Sequence, residues 1–193
     1  MKKMRKAAIF AMLLTAFLFF GSVVALAQES EITQNESDSN KALVIFGCAL
    51  ALGITGISAA IGLAFSGSSA IAVTAEKPDI FSKLLILQVL PMTQSVYGLL
   101  TAILLMMGAG LLGGGDVTVT PLMGMGAVWI GLVVGLTGTS AINQGMVASS
   151  SISAVGRNPD VVSKGIIFTV MTETIAIFGL LLGILLMVGL GFL

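Results

Sequence analysis

Residues 161–193 read VVSKGIIFTVMTETIAIFGLLLGILLMVGLGFL. After Lys164, the only charged residue in this run is Glu173. As a helix the run would measure roughly 50 Å, longer than the hydrocarbon core of a bilayer at about 30 Å. It therefore predicts a membrane-spanning helix that carries one acid inside the membrane.

The composition of the whole chain agrees with this reading. Apolar residues make up 56% of the 193 residues and charged residues 9%, and the mean hydropathy is +1.09. A soluble domain carries about a quarter charged residues, so we predict an all-α integral membrane protein in contact with the lipid bilayer. The sequence has no basic patch, which excludes nucleic acid as a partner. With one cysteine and no histidine, it also excludes thiolate or imidazole metal clusters and internal disulfides.

Beyond residue 41, short polar breaks separate four apolar segments, predicted as four long helices at residues 42–75, 80–112, 117–155 and 161–193. When Pro78-Asp79 is placed on Pro159-Asp160, the two halves superpose without a gap. We call this superposition the repeat alignment. Such a repeat predicts two tandem transmembrane helical hairpins that run parallel. The predicted parts are a first hairpin at residues 41–112, a glycine-rich external loop at 113–117 and a second hairpin at 118–193.

The N-terminal residues predict export and orientation. Residues 1–27 carry basic residues, an apolar stretch and Ala25-Leu26-Ala27, the pattern of a cleaved signal peptide. An uncleaved extra helix is the alternative. Residues 28–40 are polar and acidic and are expected to be a disordered lead-in outside the cell. Basic residues flank loops 76–79 and 157–160, which are therefore predicted to be cytoplasmic, with both mature termini outside the inner (plasma) membrane.

The four segments differ in side-chain size. The first and third are rich in Gly, Ala and Ser, whereas the second and fourth carry bulkier Leu, Ile and Phe. In lipid, small side chains allow helices to approach closely. A thin helix beside a thick one suits a tightly curved ring with the thin helices inside, and ordinary helix packing is the alternative explanation.

Three polar side chains are predicted at one depth of the membrane. Gln94 follows Pro78, Glu173 follows Pro159 and Gln144 precedes Pro159. Each lies about 15 residues from the proline of its nearest basic loop, so that at about 1.5 Å per residue the three fall within about one helical turn of the same level. Because polar groups inside a membrane are usually functional, this level is the predicted site.

The second segment adds oxygen atoms at that level. Leu90, Thr93, Gln94 and Tyr97 follow i, i+3, i+4, i+7 spacing and so share one helical face. Pro91 has no N–H and its ring pushes on the preceding turn, so we expect a carbonyl near Leu90 to lack a helical partner. Tyr97 is placed to donate a hydrogen bond to the acid, with simple packing as its alternative role.

These groups suit a small monovalent cation. A dehydrated hard cation needs about five or six oxygens, and the available groups are Glu173, Thr93, Gln94, Gln144 and the Leu90 carbonyl. One carboxylate cancels one positive charge, whereas a divalent ion would leave a charge in hydrocarbon. We therefore predict Na⁺ as the bound ion, and H⁺ as the alternative.

The residues quoted above resemble the duplicated proteolipid (subunit K or c) of V-type rotary ATPases, most closely the sodium-translocating bacterial type. The resemblance covers about residues 41–193, and it is carried by LILQVLPMTQSVYG at 85–98, NQG at 143–145, GIIF at 165–168 and TET at 172–174. In that family the position matching Glu173 binds the ion and the four other groups named above ligate it. The tyrosine matching Tyr97 hydrogen-bonds the glutamate.

The resemblance also implies partners. These are identical subunits in a rotor ring, a membrane stator subunit and a central shaft subunit docked on the cytoplasmic loops. ATP is hydrolysed on other subunits, so the chain would not be catalytic by itself. The competing functions are a non-rotary pore-forming proteolipid and, more weakly supported, a secondary transporter.

The internal repeat bears on stoichiometry. The repeat alignment pairs Glu173 with Met92, so the first hairpin has no ion-carrying acid. Two hairpins then carry one ion, which suits a pump, and synthesis is the alternative.

Overall fold

The computed structural model describes residues 36–114 and 117–193. The predicted signal segment at 1–27 and residues 28–35 of the lead-in lie outside the described residues, as do residues 115 and 116 of the glycine-rich loop. Within the described ranges every regular element is helical.

The first span is one continuous helix. Helix α1 covers Glu36–Glu76 and is 41 residues long. It begins earlier than the sequence suggests, so the expectation of disorder up to residue 40 is wrong for residues 36–40. Asn40 is buried, and its side-chain amide donates to the Val119 carbonyl at 2.9 Å. This hydrogen bond holds the start of α1 against the segment before the third span. It explains why the polar residues 36–40 are helical.

The second span is interrupted in its middle. After a short 3₁₀ turn at Pro78–Ile80, it consists of α2 at Phe81–Val89, a 3₁₀ turn at Leu90–Met92 and α3 at Thr93–Gly108. The last helix ends earlier than the predicted residue 112, because the chain turns through Gly110, Gly113 and Gly114 at φ of 71°, 96° and 72°. Glycine adopts these left-handed values without a steric penalty.

The third span begins at a proline. Helix α4 covers Pro121–Gly138 and α5 covers Ser140–Arg157, with Thr139 between them. The predicted start at residue 117 is too early, because Thr120 caps the helix by accepting the Met123 N–H at 3.3 Å. Pro121 then occupies the first turn, where its missing N–H is tolerated.

The fourth span is bent, which the sequence reading missed. A 3₁₀ turn at Pro159–Val161 leads into α6 at Val162–Met171, and α7 at Thr174–Leu190 follows at an angle of 40°. Two threonine hydroxyls bond to carbonyls of their own helix near the break, Thr169 to Gly165 at 2.8 Å and Thr172 to Thr169 at 2.7 Å. Such bonds compete with the helical ladder and bend helices.

In the described part of the chain, three helical stretches are long and apolar enough to cross a membrane, and the bent pair makes a fourth. The protein is therefore an all-α membrane protein with two helical hairpins in tandem, as the composition and the repeat predict.

The two thin spans pack directly on each other. A Cβ added at Gly131 would collide with the Gly47 backbone, and one at Gly145 with the Gly62 backbone. The second span packs on α1 where Gly98 meets Thr55, and the fourth packs on α4 where Gly179 meets Thr137. The repeat alignment pairs Gly98 with Gly179, so each hairpin closes at the same glycine, although the threonines that meet them are not paired in the repeat.

Candidate ion-binding site

The bend of the fourth span places Glu173 between α6 and α7. The Glu173 side chain is 7% exposed, and its backbone N–H bonds to the Val170 carbonyl at 3.0 Å. Because this is a 3₁₀-type bond, the backbone turns at the position from which the carboxylate projects. The acid therefore lies inside the protein at the level of the break.

Two other spans contact the carboxylate. The Tyr97 hydroxyl, from α3, donates to Glu173 Oε1 at 2.5 Å. The Gln144 amide, from α5, donates to Glu173 Oε2 at 3.4 Å. The second and third spans thus each direct a donor toward one carboxylate oxygen, as the hydrogen-bonding role considered for Tyr97 requires.

The contacts continue from Gln144 to the interrupted second span. Gln94 Nε2 donates to Gln144 Oε1 at 2.7 Å, and both glutamines are fully buried. The Thr93 hydroxyl lies 3.1 Å from Gln94 Oε1 and 3.0 Å from the Leu90 carbonyl. The structure therefore brings the residues that the sequence predicts for the site into one connected cluster.

The geometry at Pro91 differs from the expectation in one respect. The Leu90 carbonyl is not left without a partner, because it accepts the Thr93 N–H in the 3₁₀ turn as well as the Thr93 hydroxyl. Pro91 itself is buried against Gly62 of α1. The proline therefore tightens the turn and directs the Leu90 carbonyl toward Thr93.

The negative charge of the cluster comes from Glu173, and no basic residue lies close to it along the fourth span. Lys164, the nearest basic residue along the fourth span, lies nine residues from Glu173, about 13 Å along a helix. In the described ranges, no three His, Cys, Asp or Glu side chains are grouped as a multivalent metal site would require. One buried negative charge among neutral oxygens is suited to one monovalent cation or one proton.

Three hydroxyl residues of the third and fourth spans have no role predicted from the sequence, although one of them, Thr172, lies in the motif TET. Thr169 and Thr172 accompany the bend, and Ser140 lies one turn before Gln144. The signal was available for the threonines, because two of them precede the acid within an otherwise apolar run. For Ser140 the sequence gives no such signal, since it is one of many small residues on the third span.

Comparison with known families finds the same duplication. The family model described as the C subunit of ATP synthase matches residues 46–105 and again residues 128–186. Each match lies within one of the two hairpins, which confirms the internal repeat.

Three curated relatives are similar to this chain. The A-type ATP synthase subunit K of Methanocaldococcus jannaschii is 44% identical over 74% of this chain, an alignment that spans 62% of the relative's own length. The V-type sodium ATPase subunit K of Enterococcus hirae is 36% identical over 80% of this chain and 94% of the relative. The 16 kDa proteolipid of the V-type proton ATPase of Nephrops norvegicus is 29% identical over 74% of this chain and 87% of the relative.

Proposed function

This chain belongs to the family of the ATP synthase C subunit, and from that membership we propose that it is the ion-carrying rotor subunit of a V-type or A-type rotary ATPase. It binds one Na⁺ at Glu173 and carries it through the membrane as the rotor turns. ATP is hydrolysed on other subunits, and the chain supplies only the ion site.

The observation that carries this proposal is the buried carboxylate with its neighbours. Glu173 is 7% exposed and joined through hydrogen bonds to Gln144, Gln94 and Thr93. A carboxylate in this position is tolerated when a cation cancels its charge. The reorientation of two amides and one hydroxyl would bring their oxygens onto that cation.

The number of oxygens favours Na⁺ over H⁺. Two carboxylate oxygens, two amide oxygens, the Thr93 hydroxyl and the Leu90 carbonyl together reach the number that replaces a hydration shell, about six. A bound proton needs one carboxylate oxygen. Proton binding would therefore not account for the two fully buried glutamines beside the acid. The relatives' names include both a sodium and a proton ATPase, so the choice rests on this chain's own site.

The surface fits a ring of identical chains in lipid. The bulky residues of the second and fourth spans are exposed, among them Phe81, Phe168 and Phe178 at 51%, 63% and 61%. On α1 the exposed side carries small residues, including Gly53 and Ala60, between larger ones such as Ile57. A neighbouring copy could approach this side closely, while the bulky side faces lipid. The proposed assembly is completed by a stator subunit and a central shaft.

The orientation of the chain in the membrane is inferred from the end of the molecule that carries the two basic loops. The Lys77 side chain donates to the Gly156 carbonyl at 2.8 Å, so the loops at 76–79 and 157–160 lie side by side. Both carry basic residues, and positive loops remain cytoplasmic. We therefore place these loops in the cytoplasm, where the shaft would dock, and the start of α1 and the end of α7 outside.

Labelling of Glu173 with dicyclohexylcarbodiimide tests the proposed ion. This hydrophobic reagent modifies protonated carboxyl groups within the membrane, and a bound Na⁺ should block the reaction. In membranes that contain the assembled complex, we expect millimolar Na⁺ at alkaline pH to protect Glu173, with the modified peptide quantified by mass spectrometry. The Glu173→Gln variant serves as the control and should take up no label and transport no Na⁺.

Each outcome of this experiment is informative. Absence of Na⁺ protection, with labelling controlled by pH alone, would replace Na⁺ with H⁺ as the transported ion. ATP-driven Na⁺ uptake retained by Glu173→Gln would show that another group carries the ion.

A further inference from the structure

Ser140 differs from the other hydroxyl residues of the spans. Its Oγ is buried, and in residues 38–114 and 117–193 it is the buried side-chain oxygen or nitrogen without a hydrogen-bond partner. The serines and threonines that bond to the carbonyl four residues earlier are Thr55, Ser58, Ser66, Thr74, Thr101, Thr137, Ser150, Ser153 and Thr169. A buried hydroxyl left unpaired destabilises a protein by about 1–3 kcal/mol, so this exception needs an explanation.

The local backbone explains why Ser140 does not bond to its own helix. Four residues earlier lies the Leu136 carbonyl, which already accepts the Thr139 hydroxyl at 2.6 Å and the Thr139 N–H at 3.2 Å. Carbonyl oxygens have two lone pairs, and both are used. The Ser140 hydroxyl is therefore available for a partner outside the helix.

The direction of Ser140 follows from its neighbours on the same helical face. Thr137, Ser140 and Gln144 are spaced i, i+3, i+7 and project to one side. Thr137 contacts Gly179 of the fourth span, and Gln144 contacts Glu173. Ser140 lies between them, so its side chain faces the fourth span between Glu173 and Gly179.

The facing residue on the fourth span offers no partner. Ala176 lies midway between residues 173 and 179 and is 3% exposed. Its methyl group cannot form a hydrogen bond with the Ser140 hydroxyl. A water molecule is the smallest partner that would satisfy the Ser140 hydroxyl there.

We propose that Ser140 is a positioning residue for the ion: its hydroxyl holds a water molecule beside Glu173, and that water supplies an oxygen to the Na⁺ in place of Glu173 Oε1, which is held by the Tyr97 hydroxyl. Four residues separate Ser140 from Gln144, about 6 Å along the helix axis. This separation is too long for a direct contact with an ion held by Gln144. One bridging water extends the reach of the hydroxyl, because it adds a metal–oxygen distance of about 2.4 Å to a hydrogen bond of about 2.8 Å. The inference rests on the proposed Na⁺ site at Glu173.

The test compares Ser140→Ala with Ser151→Ala in the assembled complex. Ser151 lies on the same face of α5, is equally buried at 8% exposure and bonds to the Gly165 carbonyl at 3.4 Å, two turns from Gln144. We expect Ser140→Ala to need about tenfold more Na⁺ for half-protection of Glu173 from dicyclohexylcarbodiimide, the effect of one lost hydrogen bond near a charge. Ser151→Ala should behave as the unmodified chain does. Labelling without Na⁺ should be equal in all three.

The result also separates this inference from the proposed function. If Na⁺ protects the unmodified chain and Ser140→Ala equally well, Ser140 has no part in binding and the inference is overturned, while the Na⁺ site stands. Equal weakening in both serine variants, or a changed labelling rate without Na⁺, would indicate a structural effect and also overturn it. If Na⁺ does not protect the unmodified chain, the Na⁺ site and the inference fail together.

Discussion

At the scale of single residues, the two contacts of Glu173 are unequal. The Tyr97 hydroxyl lies 2.5 Å from one carboxylate oxygen, whereas the Gln144 amide lies 3.4 Å from the other. Hydrogen bonds to charged groups are shorter and stronger than neutral ones. Tyr97 therefore fixes the orientation of the carboxylate. Turning the Gln144 oxygen onto an ion gives up only a long bond to Glu173, but it requires Gln94, which donates to Gln144 Oε1 at 2.7 Å, to reorient with it.

Removing the tyrosine hydroxyl should weaken ion binding. In Tyr97→Phe the ring remains, but the carboxylate loses its shortest bond and no longer has one fixed orientation. We expect the Na⁺ concentration for half-protection of Glu173 to rise by roughly five- to tenfold, the effect of about 1–1.4 kcal/mol. The measurement is the same labelling titration in the assembled complex.

Thr101→Ala provides the control for that titration. The Thr101 hydroxyl bonds to the Tyr97 carbonyl at 2.9 Å, one turn away on the same helix, and does not contact the carboxylate. It should titrate as the unmodified chain does. An unchanged Na⁺ requirement in Tyr97→Phe would contradict the orienting role of the tyrosine.

At the scale of elements, three of the four spans are interrupted, two of them at the level of Glu173 and the third about 9 Å further from the basic loops. The breaks lie at residues 90–92, at Thr139 and at residues 172–173. The first and last correspond in the repeat alignment, although proline produces one and threonine hydroxyls accompany the other. Helix α1 passes the same level without a break. Interrupted backbone in lipid is tolerated where it is buried in protein, and here α1 supplies a continuous support.

The close approach of the two thin spans should be intolerant of side chains. In Gly145→Leu, the new Cβ would collide with the backbone of Gly62, which cannot move as a flexible side chain could. Overpacking of this kind destabilises by about 1–3 kcal/mol or more. We therefore expect a lower midpoint of thermal unfolding in detergent and a lower yield of folded chain.

Gly189→Leu is the matched variant for this experiment. A Cβ at Gly189 meets nothing within 4 Å in the described chain, and the residue lies on the exposed side of α7. The same replacement there should leave the midpoint unchanged or raise it slightly, because leucine favours helix over glycine. Equal midpoints for the two variants would mean that the α1–α5 contact does not limit stability.

At the scale of the whole molecule, the two hairpins are built alike but are chemically unequal. The repeat alignment pairs Glu173 with Met92, and it pairs Gln144, Gln94 and Tyr97 with Leu63, Ile175 and Phe178. The acid, both glutamines and the tyrosine are thus replaced by apolar side chains, whereas Thr93 pairs with Thr174. Duplication preserved the packing of the hairpins, and the first hairpin retains no ion site. On the proposed function, one ion per two hairpins would mean fewer ions per ATP and a larger gradient per ion, which suits a pump without excluding synthesis.

Adding an acid to the first hairpin should not restore a site. In the Glu173→Gln background, the Met92→Glu substitution places a carboxyl group at the equivalent position, where the paired residues offer no amide or phenol. We expect dicyclohexylcarbodiimide to label position 92, Na⁺ to give no protection, and Na⁺ transport to remain absent. Peptide mass spectrometry and ATP-driven Na⁺ uptake are the measurements.

The opposite outcome has a clear meaning. Protection of position 92 by Na⁺ would show that a carboxylate at this depth binds the ion without the glutamines and the tyrosine. The cluster of neighbouring oxygens would then be unnecessary for binding, and the reason for preferring Na⁺ over H⁺ would be lost.

The sequence by itself determined the membrane class, the duplicated hairpins and the depth of the acid. Hydropathy decides the solvent of a helix, and the rise per residue converts chain position into depth. For that reason chain position alone places Gln94, Gln144 and Glu173 on one level. Composition also fixed the charge of the site, since Glu173 has no basic residue near it along the chain.

The tertiary structure decided how these groups face one another. The bend at residues 172–173 and the role of the Leu90 carbonyl depend on which of several available hydrogen bonds a hydroxyl forms, and sequence spacing does not specify that choice. The free hydroxyl of Ser140 emerged in the same way, because it depends on Thr139 occupying the Leu136 carbonyl. Helical periodicity gives the height and face of a residue. The hydrogen-bond partner of each polar atom depends on how the four helices pack and on which other donors bond to the same acceptor.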